Sequence, residues 1–136
     1  MAFESPKYFA SSSFVNQVLK EFGPVAAEGR LVGPITENYR VIYTSRKFSI
    51  EVVYDDSDGR VVTVVGTVVR GRHVRASLSC LYVEARLGAA QEVREIARSR
   101  HSLVQALGSQ ATAIRDLIAV LLGPGRESVM LACRGR

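Results

Sequence analysis

Apolar and polar side chains alternate almost continuously from Tyr39 to Val83, which is the pattern of half-buried β-strands. Turn-forming residues interrupt the alternation at Ser45-Arg46, Asp58-Gly59 and Gly71-Arg72. The segment therefore predicts a four-stranded antiparallel meander. The preceding residues 25–37, with their glycines and a proline, predict a loop or an irregular edge.

Apolar residues at helical spacing lie on both sides of the meander. Between residues 14 and 22 they predict a first helix, with Ser11-Ser12-Ser13 as capping hydroxyls and Gly23-Pro24 as its end. Residues 89–100 are compatible with a helix, and the leucine and isoleucine stripe from residue 103 to 122 predicts another.

This order of elements predicts an α+β fold in a single domain, residues 1–136, with the C-terminal helices packed on one face of the sheet. After a helix stop at Gly123-Pro124-Gly125, residues 129–133 are compatible with a short fifth strand. A chain of this length buries roughly two-thirds of its unfolded surface, so its core needs no disulfide or metal.

The turns also predict which side chains share a face of the sheet. Two-residue loops would pair Tyr54 with Thr63 and Val65 with Leu78, and would place Arg40 opposite Glu51. One face then collects the large apolar side chains and is the predicted core. Its members are Tyr39, Val41, Tyr43, Phe48, Ile50, Val52, Tyr54, Val61, Val65, Val69, Val74, Leu78, Cys80 and Tyr82.

The opposite face is less polar than a solvent-facing sheet surface usually is. Six aliphatic residues lie on it, with three basic or potentially basic residues at one end: Ile42, Val53, Val62, Val64, Val68 and Leu81, then Arg70, His73 and Arg75. Three interpretations stay open: the chain's own tail or residues 25–37 cover this face, a partner or second copy covers it, or the residues are ordinary scattered surface side chains. Val62, Val64 and Leu81 are the predicted centre of an interface.

The hairpin around residues 70–75 is the basic feature of the chain. The net charge is +5, and residues 60–136 carry twelve arginines against five acids. A basic ribbon can enter a major groove, so nucleic-acid binding through this hairpin is the alternative function. No aromatic side chain is expected to point outward for base stacking, and a solvated tip or the rim of a protein interface is the favoured interpretation.

Candidate chemistry is sparse. Asp55–Gly59 resembles a calcium loop only in composition, because Tyr54 and Val65 occupy positions that need oxygen ligands, and it is expected to be a turn. His73 and His101 have no cysteine or carboxylate at ligand spacing. No phosphate-binding loop or serine-nucleophile motif is present. We therefore predict no catalytic residue, metal or cofactor.

The two cysteines, Cys80 and Cys133, have neither metal-binding nor redox spacing, and Cys80 is expected to be an inert core residue. No basic-then-apolar leader follows Met1, and the late apolar stretch is interrupted by polar residues. The expected location is cytoplasmic, with no membrane association.

The segment NYRVIYTSRKFSIEVVYDDSDGRVVTVVG, residues 38–66, is preceded by the helix FVNQVLKEFG and followed by a C-terminal helix. This layout resembles small single-domain α+β proteins of actinobacteria, some of which resemble immunity proteins of toxin systems. The resemblance implies a protein that caps a toxin's active site and has no chemistry of its own. Inhibitors of nucleases tend to be acidic, so the basic charge of this chain disfavours a nuclease target.

Taken together, these patterns predict a non-catalytic protein-interaction domain, either an immunity-type inhibitor or a self-associating module. Its expected partner is another protein or a second copy of the chain, and no cofactor is expected.

Overall fold

The computed structural model describes residues 5–136 and has the predicted α+β fold. Its five strands form one antiparallel sheet in the order β1-β2-β3-β4-β5. The strands are β1 (Val32–Glu37), β2 (Arg40–Thr44), β3 (Ser49–Asp55), β4 (Arg60–Val69) and β5 (Arg72–Ser77). The helices are α1 (Ser11–Glu28), α2 (Leu78–Glu84), α3 (Arg100–Leu122) and α4 (Arg126–Ala132), with a 3-10 turn at Ala90–Glu92.

The core lies between one face of the sheet and the helices. Its buried side chains come from β2 to β5 on the sheet side and from all four helices on the other. The polar side chain of Gln110, on α3, is fully buried at this junction. It accepts from the Thr63 hydroxyl at 2.6 Å and donates to the carbonyls of Val61 and Arg94 at 2.9 and 2.7 Å. These bonds satisfy the whole amide and hold α3 against β4.

The first helix is longer than predicted. It continues through Pro24 to Glu28, although proline has no N–H to donate to the preceding turn. Val25 and Ala26 extend the buried stripe beyond Phe22, and burying them outweighs the lost hydrogen bond. The prediction that serine hydroxyls cap this helix was also wrong. The N-cap residue is Ala10, which makes no side-chain hydrogen bond.

The sheet has five strands where the sequence predicted four. The additional strand is β1, in a stretch that was expected to be a loop or an irregular edge. Every residue of β1 is exposed, so no apolar alternation marked it as a strand. Its pairing with β2 is irregular between Val32 and Ile35, where Pro34 has no backbone N–H to donate to a neighbouring strand.

The predicted strand pairs were displaced by two residues. Tyr54 lies opposite Val61 instead of Thr63, and Val65 lies opposite Ala76 instead of Leu78. The displacement arises because each turn is centred one residue away from its predicted position: the loops after β2 and β3 have four residues, and the two-residue loop after β4 is Arg70-Gly71 instead of Gly71-Arg72. Moving a turn by one residue changes each partner by two, so the side chains of β2 to β5 stay on their predicted faces.

The end of the predicted meander was wrong. Residues 78–84 form helix α2, which begins where the Ser77 hydroxyl accepts a hydrogen bond from the Cys80 amide. Leu78 and Leu81 are three residues apart, so a helix points both toward the core, whereas a strand would point them to opposite faces. Both are buried.

The predicted helix that ends at Leu122 is confirmed as α3, but the helix predicted at residues 89–100 was wrong, apart from the 3-10 turn at Ala90–Glu92. Residues 93–99 run extended along the start of β4, where the Val61 amide donates to Glu95 and the Ala97 amide donates to Gly59, each at 2.8 Å. Ser99 then begins α3 through a reciprocal pair of hydrogen bonds with Ser102. The expected fifth strand at residues 129–133 is instead the end of helix α4 and its C-cap.

A disulfide joins Cys80 on α2 to Cys133 at the end of α4, with the two Cα atoms 5.8 Å apart. The spacing of the two cysteines did not indicate this bond, and the predicted meander placed Cys80 on a strand. Beyond the disulfide, the tail hydrogen-bonds to the free edge of β5. The Gly135 amide donates to Arg75 and the Ser77 amide donates to Arg136, at 3.0 and 2.9 Å.

Candidate functional site

The sheet face opposite the helices, called the outer face here, carries five of the six predicted aliphatic residues. These are Ile42, Val53, Val62, Val64 and Val68. Val53 lies directly opposite Val62. In the next row of cross-strand neighbours, Glu51 lies between Ile42 and Val64. Their placement follows the predicted alternation.

Leu81 is the exception among the predicted residues. It is fully buried in the core on helix α2 and does not reach the outer face. Its predicted position beside Val62 and Val64 was therefore wrong. Ile35 of β1, which sequence reasoning missed, lies opposite Ile42 and is 57% exposed. Only the pairing of β1 with β2 could have revealed it.

No described segment of the chain folds over the outer face. Residues 25–28 end helix α1 and residues 32–37 add strand β1 at the edge, while the tail after α4 runs beside β5. The interpretation that the chain covers this face itself was wrong for residues 5–136. Val68 is 50% exposed, and Val64 is half-buried by its strand neighbours.

Glu51 lies at the centre of the outer face and is bound by two arginines. The Arg75 guanidinium donates to its carboxylate at 3.1 Å. Arg40 approaches it with an Nε–Oε1 distance of 3.0 Å, an ion pair whose geometry does not qualify as a hydrogen bond. Arg40 also contacts Glu37 at 3.2 Å. The predicted attraction between Arg40 and Glu51 is present, although Arg40 lies directly opposite Val53.

The basic hairpin has a two-residue turn at Arg70-Gly71, with φ angles of 52° and 79°. Positive φ at both positions is the conformation of a type I′ turn and explains the glycine. His73 lies opposite Val68 on the outer face, and Arg75 lies opposite Gly66. Arg70, His73 and Arg75 are therefore brought to one end of the aliphatic patch.

The aromatic residues of the described strands all point away from this face. Tyr43 and Tyr54 are buried in the core, as is Phe48 in the loop after β2. Burial raises the pKa of the Tyr54 phenol, which donates to the Ala97 carbonyl at 2.7 Å. The described outer face thus offers no aromatic platform for a nucleic-acid base.

The acidic run at 55–59 is a turn, as expected. Asp55 accepts from the hydroxyl and the amide of Ser57 at 2.6 and 3.0 Å, and this bonding lowers the pKa of its carboxyl. Asp56 accepts from the amides of residues 7–9. Partial burial alone would raise the pKa of Asp56, but the three donors outweigh it and the net shift is downward. Both carboxylates serve the fold.

A groove of about 930 Å³ lies between the start of β4, residues 90–98 and α3. It contains two carboxylates, Asp58 and Glu95, of which Glu95 is hydrogen-bonded to Arg60. Arg98 donates to the Asp58 backbone carbonyl at 3.1 Å. Neither histidine nor cysteine lines this groove.

Within residues 5–136, no group of three or more histidine, cysteine, aspartate or glutamate side chains is arranged to hold a metal ion. No described helix is by itself long and apolar enough to cross a membrane, and α3 with α4 meets that test only as a pair bent by 119°.

Comparisons with protein-family models, with curated proteins and with solved structures find no match for this chain.

Proposed function

We propose that this chain is a non-catalytic protein-interaction domain that binds a partner protein on the outer face of its sheet. The observation that carries the proposal is the aliphatic patch formed by Ile35, Ile42, Val53, Val62 and Val64, over which no described segment packs. Aliphatic side chains grouped around a neutralised carboxylate, here Glu51, with a basic border form a surface that suits a protein partner. Burying one valine of this patch completely would contribute about 1.5–3 kcal/mol.

The charges around the patch suit a protein interface. Glu51 and Arg40, which a partner would remove from water, already neutralise each other. Burying a paired charge costs far less than burying an isolated one. Arg46, Lys47 and Arg70 remain exposed at the hairpin end without a carboxylate partner among the described ion pairs. The partner therefore presents acidic groups to this end, which speeds association.

The resemblance to immunity proteins extends this proposal to the kind of partner. An immunity-type inhibitor would lay the outer face over the active site of a toxin enzyme. The basic rim requires a target whose surface is acidic, so a nuclease with a basic active site is a poor candidate.

The proposal is tested by Val64→Lys, with Val83→Lys as the matched control. Val64 points out from the outer face between Glu51 and Ser77, whereas Val83 is 44% exposed on helix α2, away from the patch. Both variants gain one charge and should keep the wild-type melting temperature. Co-purification from the native host should recover a protein with the wild type and with Val83→Lys but not with Val64→Lys, because the lysine would be buried unpaired.

Two further measurements on the same proteins separate the alternatives. Sedimentation that gives a dimer for the wild type and a monomer for Val64→Lys would identify the partner as a second copy. Binding to DNA or RNA at ~50 mM salt that weakens steeply by ~200 mM, equally in both variants, would favour the nucleic-acid alternative through the hairpin. If Val64→Lys matches the wild type in partner binding and mass, the outer face is not a docking surface.

A further inference from the structure

A hollow of about 420 Å³ opens on the outer face between the loop after β2 and the hairpin of β4 and β5. Gly66 forms part of its floor, and the absence of a side chain there creates the space. A Cβ atom on Gly66 would lie 2.8 Å from the Ser49 hydroxyl, closer than a real side chain is found. The hollow therefore depends on glycine at this position.

Hydrogen-bond donors surround the hollow from several directions. Ser49 and Thr44 contribute hydroxyls, and His73 contributes its imidazole. Within the part of the chain that the structure describes, these three side chains have no hydrogen-bond partner, although each could make one. Polar groups of this kind that converge on a concave surface are typical of a binding site.

The charge of the hollow is positive. Arg46, Lys47 and Arg75 line it, and Glu51 is the only carboxylate among its lining residues. Arg75 donates to that carboxylate, and Arg40 pairs with it as well. Lys47 donates to the backbone carbonyl of Leu122 at 3.4 Å and pairs with no carboxylate among the described ion pairs. An anion that enters the hollow could therefore be bound by the hydroxyls, the imidazole, Arg46 and Lys47, while Arg75 keeps its ion pair with Glu51.

We propose that this hollow binds a compact oxyanion of the phosphate type. Such a group has several acceptor oxygens, so it can bond to hydroxyl, imidazole and cationic donors placed on different sides. Because a free anion can enter while the aliphatic patch stays uncovered, this inference is independent of the proposed docking of a protein.

The test is a titration of the isotope-labelled protein with inorganic phosphate, followed by the amide signals of residues 44–49, 66 and 73–75 at constant ionic strength. Saturable shifts confined to these residues are expected. Gly66→Ala and Ser49→Ala leave the net charge unchanged and should weaken binding about tenfold, the cost of losing space or one charge-assisted bond. The control Arg72→Ala removes one charge on the same hairpin from a residue outside the hollow, and should change the affinity less than about twofold.

Three results would overturn the proposal: shifts that do not saturate, equal shifts with sodium chloride, or weakening by Arg72→Ala but not by Gly66→Ala. The two charge-neutral variants protect the test against a folding defect in either one, and melting temperatures identify such a defect. A decathymidine oligonucleotide serves as a second probe. If it produces the same shifts much more tightly than phosphate does, and Arg72→Ala weakens it, the hairpin binds a nucleic-acid backbone and the hollow is not a phosphate site.

Discussion

The disulfide between Cys80 and Cys133 is expected to supply a large part of the stability of this chain. The two cysteines are 53 residues apart, so the bond closes a long loop in the unfolded chain. The loop-closure model gives about 4 kcal/mol at 25 °C for a loop of this length. The free energy of unfolding of a native protein is about 5–15 kcal/mol in total. Reduction of the disulfide is therefore expected to remove a major share of this stability.

The location of the bond indicates which part of the chain would respond first. Helix α4 is short, and its buried residues Val129 and Met130 reach the core together with Cys133. Without the disulfide, this packing, the two hydrogen bonds between the tail and β5, and a bond from the Arg126 guanidinium to the Leu121 carbonyl hold the C-terminal segment. Hydrogen exchange of the amides of residues 126–136 should accelerate on reduction before that of α3 does.

The assay is guanidinium unfolding of the oxidised and the reduced protein, with Cys80→Ala/Cys133→Ala as the control. The wild type should lose about 4 kcal/mol of unfolding free energy in reductant, while the double variant should be insensitive to it. Intact mass under non-reducing conditions should be lower by two hydrogens than under reducing conditions. Two free thiols in the native oxidised preparation, or a reduced protein as stable as the oxidised one, would refute the reasoning.

The same measurement bears on the expected cytoplasmic location. Structural disulfides persist in oxidising compartments and are rare in the cytosol. The sequence expectation considered only the spacing of Cys80 and Cys133, which carries no information about their distance in the fold. A reduced form that unfolds at physiological temperature would point to an oxidising environment for the functional protein.

Two further variants test the core and the acidic turn. Gln110→Ala removes three hydrogen bonds from a fully buried site and should cost about 2–4 kcal/mol in urea unfolding. The exposed control Gln105→Ala should cost less than ~0.5 kcal/mol, and equal costs would contradict the role given to Gln110. Asp56→Asn should destabilise by roughly 1–2 kcal/mol at pH 7. Because the folded pKa of Asp56 lies below the ordinary 3.8, its contribution is present above pH 3.8 and is lost as pH falls through the folded value. Unfolding curves of wild type and Asp56→Asn should therefore converge in acid, and a constant gap down to pH 2 would contradict this assignment.

Side-chain alternation predicted the two faces of the sheet more reliably than it predicted the strand pairs. Tyr54 and Val65 changed partners, yet both stayed on the core face, because the turns after β3 and β4 are each centred one residue earlier than predicted and each partner therefore changes by two. For the same reason Val53, Val62 and Val64 lie on the outer face as the sequence analysis placed them. Whether this face is an interface stays a prediction.

The candidate hollow could not be read from the sequence. Gly66 is a single glycine within a strand pattern, and Ser49 lies 17 residues before it in the chain. Cross-strand pairing brings Ser49 and Arg75 to either side of Gly66. A local sequence pattern does not predict which residues lie side by side here, because their proximity depends on the register of three strands.

Local patterns were enough to predict the α+β class, the long helix that ends at Leu122 and the outward direction of the aliphatic residues of β2 to β4, because each depends on a repeat of two or 3.6 residues within one segment. Tertiary structure decided the cases in which local signals were weak or opposed. Proline did not end α1, since Val25 and Ala26 gain burial beyond it. The segment Leu78–Glu84 suits a strand by alternation but became a helix, because only a helix buries both Leu78 and Leu81 and brings Cys80 to Cys133. Burial and cross-linking depend on residues that are distant in the chain, so they can override a local preference of about 1 kcal/mol.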